Sequence, residues 1–280
     1  KEGESVKNQN TFELLAKIAT RAAAGITIGT LVFLVGFILV RGIPYIKPSL
    51  FSFTYNSENV SLMPALISTI IMTLFSLLIA VPFGVSSAIY LTEYAGRGNK
   101  AVALIRVTTE TLSGIPSIVY GLFGMLFFGT YLGWGFSLLA GAFTLAIMIL
   151  PLIMRSSEEA LKSVPDTYRE GSFGLGAGKL RTVFKIVLPS AMPGIVAGVI
   201  LAVGRIVGET AALIYTAGTV AQVPTNPMMS ARTLSVHMYA LSSEGLHTNE
   251  GYATAVVLLV VVVLINMVSA KIAKKIGCAE

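Results

Sequence analysis

Apolar residues in this chain run in long uncharged blocks, and the polar residues are confined to the joints between them. Residues 22–40 carry no charge and are bracketed by Arg21 and Arg41. That length suits a helix crossing a bilayer core of about 30 Å and exceeds the apolar stretch of a cleaved signal, so it reads as an uncleaved first span. A second block, 62–91, is longer than the roughly 20 residues that a crossing needs, and Pro82 followed by Gly84 predicts a kink that absorbs the excess. Between Glu110 and Arg155 no charge occurs at all. As one helix that stretch would be about 66 Å long, twice the core, so it must fold back. The run G-T-Y-L-G-W-G at 129–135 is the evident turn, with Tyr131 and Trp134 suited to an interface. Span three is therefore expected near 108–130 and span four near 135–156. Gly114, Pro116, Gly121 and Gly124 are read as sites of close helix contact in span three. Span five is expected over 191–217. A loop follows to Gly251, with a short surface or re-entrant helix inside 230–243 whose Leu234, Met238 and Leu241 share a face. Span six covers 252–270 and ends at Lys271, Lys274 and Lys275. The expected fold is all-α, a polytopic membrane protein of six transmembrane helices.

Composition agrees: only 12% of residues are charged against roughly 25% in soluble domains, while 54% are hydrophobic. The net charge of +6 comes without a basic helix interleaved with aromatics, which argues against nucleic acid as a partner. The charge marks topology instead. Sixteen Lys and Arg residues fall on the side of the two termini and the 92–111 and 155–189 loops, against three on the other side (Arg41, Lys47, Arg232). The positive-inside rule then makes both termini cytoplasmic. Residues 1–21 become a cytoplasmic tail and 22–280 a six-span domain, with a cytoplasmic loop at 157–189 and an external loop at 218–251. Cys278 is the sole cysteine, so no intrachain disulfide is possible, and His237 and His247 lie ten apart without an acidic array, so no metal site is expected. No paired aspartates or Ser–His arrangement appears within the spans, which argues against an intramembrane enzyme.

The longest polar island, 165–189, reads P-D-T-Y-R-E-G-S-F-G-L-G-A-G-K-L-R-T-V-F-K-I-V-L-P. Thr167 and Glu170 have capping-box spacing, and a short helix there is expected to stop at Gly174 or Gly176. A second helix starts near Gly178, with Leu180, Val183, Phe184, Val187 and Leu188 on one face and Pro189 opening the next element. Such a bent pair is a docking knob for a soluble partner. The embedded G-L-G-A-G-K-L is not a P-loop: Phe173 stands where glycine is needed and Leu180 where Ser or Thr is needed. ATP is not bound by this chain.

Span five holds the chemistry. Arg205 and Glu209 are four apart, hence on one helical face inside the membrane, where each charge costs about 2.5–3.5 kcal/mol. Such residues face a cavity or bundle interior. Either Arg205 meets an anion with its planar fork, or the two acidic and basic groups serve structure and gating. Gly194 with Gly198, and Gly204 with Gly208, are small-xxx-small pairs expected at an interface with a second permease. Arg155, closing span four, is a weaker pathway candidate.

The spacing Glu170, Gly176, then Ile186 to Pro189 (I-x-L-P) resembles the signature loop of ABC-importer permeases, with Gly171 and Ser172 in place of two alanines. Glycine there loosens the helix by about 1 kcal/mol. S-G-I-P-S-I-V-Y-G-L-F-G at 113–124, S-L-L-A-G-A at 137–142, M-R-S-S-E-E-A-L-K-S-V-P at 154–165 and G-R-I-V-G-E-T-A-A-L at 204–213 together resemble phosphate importer permeases of PstA type. The resemblance implies a type I ABC-importer fold and phosphate uptake driven by ATP and Mg on a separate subunit, in a prokaryotic inner membrane, with no cofactor on this chain. It implies a PstC-like second permease, a PstB-like ATPase dimer and a PstS-like receptor as partners, besides membrane lipid and inorganic phosphate. It places ATPase coupling at Tyr168, Arg169, Glu170, Gly176 and Lys179, and the pathway or gate at Arg205, Glu209, Thr210 and Arg155. Sulfate and molybdate permeases share the loop, so another oxyanion is the nearest alternative, and an ion-coupled secondary transporter is a further one.

Overall fold

The structure is a computed structural model that describes the backbone of residues 2–96 and 98–277 and the side chains of residues 13, 15–96 and 98–271. Cys278 and the side chains of Lys274 and Lys275 lie outside the described residues. Eleven α-helices and no strand occur among the described residues. Five helices are long and apolar enough to cross a membrane, or six if a pair bent by 101° is counted as one broken span.

Helix α1 (Glu2–Gly42) extends the expected first span back through the polar N-terminal stretch. None of its apolar window is buried, so it is an outrigger in the lipid. It meets the bundle only near its end, where a Cβ on Gly42 would strike the Tyr252 carbonyl and the Phe37 and Tyr252 rings sit edge to face at 5.9 Å. Helix α2 (Met63–Ile89) continues as a wide turn to Tyr94 and carries Pro82 without interruption. Several of its buried hydroxyls are satisfied within the bundle: Ser76 donates to the Met72 carbonyl at 2.8 Å and to the Ala142 carbonyl at 3.2 Å, whereas Ser68 Oγ finds no partner among the described residues.

Span three departs from the expected 108–130. Helices α3 (Lys100–Ser113) and α4 (Ser117–Gly124, continued as a wide turn to Tyr131) meet at 101°. Pro116 lacks an N–H and pushes Ile115 out of helical geometry, so the chain breaks there. The Tyr120 hydroxyl bridges the break by donating to the Leu112 carbonyl at 2.8 Å. Gly114 and Pro116 thus serve the break, whereas Gly121 and Gly124 serve contact: a Cβ on Gly121 would lie 2.8 Å from Ala212 Cα, and one on Gly124 would strike Thr144 and Thr216.

The turn at 129–135 is present, with Gly133 and Gly135 at positive φ. Span four follows as α5 (Leu138–Ser163), started by Ser137, whose hydroxyl accepts from Ala140 N. It runs beyond the expected 135–156, so Arg155 lies inside a helix and not at its end. It is the central post of the core, with Leu145, Ile149 and Ile153 fully buried.

After α6 (Asp166–Gly174) and α7 (Lys179–Thr182), the chain passes through a wide turn, Val183–Val187, into α8 (Leu188–Val207). Pro189 stands in the first turn of α8, as expected, but α8 follows the preceding turn without a gap. Lys179–Val207 is one continuous crossing, because the widened turn before Pro189 absorbs the missing N–H. Gly194 and Gly198 are spent inside the chain: a Cβ on Gly194 would come 2.7 Å from Ala160 Cβ, and one on Gly198 would strike Ser156 Oγ. Gly204 has nothing near it and Gly208 meets only the Gly204 carbonyl, so these two alone remain open to a second subunit. Replacing Gly198 with leucine is expected to lower stability by about 1–3 kcal/mol through overpacking, read as a fall in the thermal midpoint of the purified protein. Gly204→Leu leaves that midpoint unchanged.

Span five ends sooner than 217. The chain breaks at Gly208–Thr210 and resumes as α9 (Ala211–Thr216). Helix α10 (Leu234–Glu244) occupies the expected 230–243 stretch, capped by Thr233 and closed by Gly245 at φ +73. Leu234 and Leu241 are buried and Met238 is half-buried, on a wider face than foreseen that includes Val236, His237 and Ala240. Helix α11 (Thr248–Gly277) is the last crossing.

Candidate functional site

Two places gather the candidate residues: the elbow between α5 and α8, and the level at which spans three and five are broken.

At the elbow, α6 is started by Pro165 without a side-chain cap, so the Thr167–Glu170 capping box does not form. Pro165 presets the backbone and the helix begins two residues early, leaving Thr167 within the first turn. The two arms reverse at Gly176, whose φ of +80 favours glycine. Ser172 and Thr182, both buried, join the arms through their hydroxyls at 2.8 Å. Ser172 thus offsets the looseness of Gly171 beside it.

Arg169 is largely withdrawn from solvent. Its guanidinium turns inward, donating to Glu93 Oε1 at 2.7 Å, to the Leu161 and Val164 carbonyls at 3.0 and 2.8 Å, and to Asp166 at 3.2 Å. It fastens the elbow to the end of α2. Lys179 reinforces that joint, its ammonium lying 5.1 Å from the Tyr94 ring centroid. The outward face holds Tyr168, Glu170, Phe173, Leu175 and Leu180, all exposed, with Leu175 at 91%. The foreseen apolar stripe therefore splits: Val183 and Val187 are buried, while Leu180 and Phe184 point out. The wide turn at 183–187 shifts the helical register between them. Glu93, Ser172 and Thr182 were missed by the sequence reading. A buried-capable acid near the end of span two was the available signal for Glu93.

At the second place, the short outer pieces α4 and α9 pack through Gly121, Gly124, Ala212 and Thr216. Glu209 is buried, and its Oε1 accepts from Ala212 N at 3.1 Å, so it caps α9 across the break. Its backbone carbonyl accepts from the Ser235 hydroxyl at 2.5 Å, tying the break to α10. Arg205 is exposed on the other side and makes no ion pair among the described residues. Arg205 and Glu209 do not share a helical face, because the helix ends between them. Thr210 is half-buried, and Arg155 pairs with Glu159 at 3.1 Å, away from Arg205's helix.

Beside the breaks, outside the crossing helices, Arg232 Nη1 donates to His237 Nδ1 at 3.2 Å and lies over the Tyr55 ring. Burial, then the Arg232 charge, pushes His237 down to about 4, while the Val60 carbonyl opposes weakly. The unfolded chain therefore takes up this proton first. Stability from His237 is complete above about pH 6.5 and lost as pH falls toward 4, at about 1.4 kcal/mol per unit. Thermal midpoints at pH 7 and pH 4.5 check this, and His237→Gln is expected to flatten that part of the profile.

Compared with known proteins, residues 80–276 match the family described as binding-protein-dependent transport system inner membrane component. A probable ABC transporter permease protein, YqgI of Bacillus subtilis, is 34% identical over 85% of this chain and 86% of its own length. The phosphate transport system permease protein PstA 2 of Mycobacterium bovis is 39% identical over 71% of this chain, and the match spans 65% of that relative. Among solved structures, a bacterial alginate ABC transporter in complex with a pentasaccharide-bound periplasmic protein has a chain that superposes with a TM-score of 0.65 at 15% identity, covering 91% of this chain and 94% of that one.

Proposed function

The chain belongs to the family of binding-protein-dependent transport system inner membrane components, and from that membership we propose that it is the PstA-type permease of an ATP-driven importer of inorganic phosphate. It is a multi-pass inner-membrane subunit without a catalytic step of its own. The observation that carries the substrate is Arg205, an exposed guanidinium at the level where two crossings are interrupted. Broken helices are where transporters build midplane sites, and a planar fork matches phosphate oxygens. The likeness to PstA 2 supports the same reading.

The elbow faces the cytoplasm, as do both termini, and its exposed Tyr168, Glu170, Phe173 and Leu175 dock in a PstB-like ATPase that holds ATP and Mg. Because Lys179–Val207 is one unbroken helix, a tilt imposed at the elbow is carried about 40 Å to Arg205. A PstC-like permease supplies the other half of the path, against Gly204 and Gly208. A PstS-like receptor delivers phosphate to the opposite face, near α10.

The test is ATP-driven uptake of labelled phosphate by the chain reconstituted with these partners. Arsenate, a tetrahedral anion of like charge, is expected to compete, and sulfate and molybdate are not. Preferential uptake of sulfate, or uptake by the chain alone on an ion gradient, would sink the proposal.

A further inference from the structure

Three hollows meet at the elbow end of the bundle. The largest, about 680 Å³, lies between the 93–100 turn and the elbow and is polar: Lys100, Arg106, Lys162 and Arg169 face it with Glu93 and Asp166. A second, about 170 Å³, lies round Arg106, Glu158 and Lys162. The third, about 310 Å³, is an apolar cleft between Tyr90, Leu91, Ile105 and Met154, and Leu91 is a wall of both it and the first.

The charges of the large hollow do not cancel. Arg169 is satisfied by Glu93 and Asp166. Arg106 and Lys162 share one carboxylate oxygen, Glu158 Oε1, each at 2.7 Å. Lys100 has no ion pair among the described residues. The wall is left positive. Alongside it α3 lies crosswise to the helix that follows, with Leu104, Ile105 and Val107 exposed. An apolar-faced helix with basic residues, running across the bundle, has the form of one resting in a membrane interface.

A basic polar hollow that shares the Leu91 wall with an apolar cleft at the level of an interfacial helix matches an amphiphile with an anionic head. We propose that this end of the chain holds one anionic phospholipid, its phosphate among Lys100, Arg106 and Lys162 and an acyl chain in the cleft beside Tyr90, Ile105 and Met154. Basic pockets between transmembrane helices on the cytoplasmic side bind such headgroups. A soluble anion has no use for the cleft, which favours the lipid over free phosphate. The site is separate from Arg205, and its existence does not depend on what the protein carries.

The test uses the chain co-purified with its partner subunits, exchanged into vesicles of phosphatidylcholine with phosphatidylglycerol, then washed in detergent. Native mass spectrometry counts the phosphatidylglycerol retained. The unaltered complex keeps about one molecule more than a complex bearing Lys100→Gln and Lys162→Gln, and retention falls about fivefold per lysine removed. Ile105→Trp, on an exposed position, narrows the cleft and lowers retention without touching a charge. Retention in both variants equal to that of the unaltered complex overturns the proposal. So does displacement of the lipid by millimolar inorganic phosphate, which marks a site for a soluble anion.

Discussion

Replacing Arg169 with methionine is expected to cut ATP-driven uptake at least about tenfold while the chain still inserts. The Arg169–Glu93 pair is mostly out of solvent, with side chains 15% and 8% exposed. Removing one partner of such a pair costs about 3–5 kcal/mol, because the other is left buried and uncompensated. Here the Leu161 and Val164 carbonyls lose their donor too. The cost falls on the joint between elbow and α2, so the elbow yields when it is pushed and does not pass the push to α8. ATP hydrolysis by the reconstituted complex persists and its link to uptake is lost. Pairing the change with Glu93→Gln removes the stranded carboxylate and is expected to recover part of the stability. Leu175→Asp makes the contrast: at 91% exposure it leaves the thermal midpoint unchanged and weakens association with the ATPase subunit. Normal coupling in Arg169→Met would reduce the brace to an incidental contact.

Much of this architecture was legible because hydropathy records burial in lipid directly. The blocks at 22–40 and 252–270 lie within candidate crossings, 62–91 does so but for Leu62, and the elbow falls where the polar island is. Gly176 was readable as a stop because a left-handed turn favours glycine. Direction is what hydropathy omits. The S-G-I-P run was read as a packing site, although Pro116 constrains the residue before it and so announced a bend. The G-E-T run looked like continuous helix because it lies inside an unbroken apolar stretch. Gly194 and Gly198 signalled close approach correctly, but a small-residue spacing does not say whether the neighbour is Ala160 of the same chain or another subunit. Arg169 looked like a docking residue because its partner, Glu93, lies 76 positions away.

The break in span five yields the sharpest prediction, since it separates two residues that the sequence had joined. Arg205→Gln is expected to lower phosphate uptake at least about a hundredfold, since no other exposed guanidinium stands at the breaks among the described residues, while the thermal midpoint stays near that of the unaltered protein. Glu209 behaves differently. Its Oε1 caps α9, and a glutamine keeps an oxygen in that place, whereas alanine keeps none. Loss of such a cap costs about 1 kcal/mol and frees the outer piece of the span from the inner one. Glu209→Gln is therefore expected to retain uptake within about threefold of the unaltered protein, and Glu209→Ala to lose about tenfold with a lower midpoint. If Gln proves as damaging as Ala while the midpoint holds, the negative charge itself acts in the pathway, and Glu209 belongs with Arg205 after all. The two substitutions thus weigh a helix cap against a charge pair at a single position, with uptake and thermal unfolding as independent readouts.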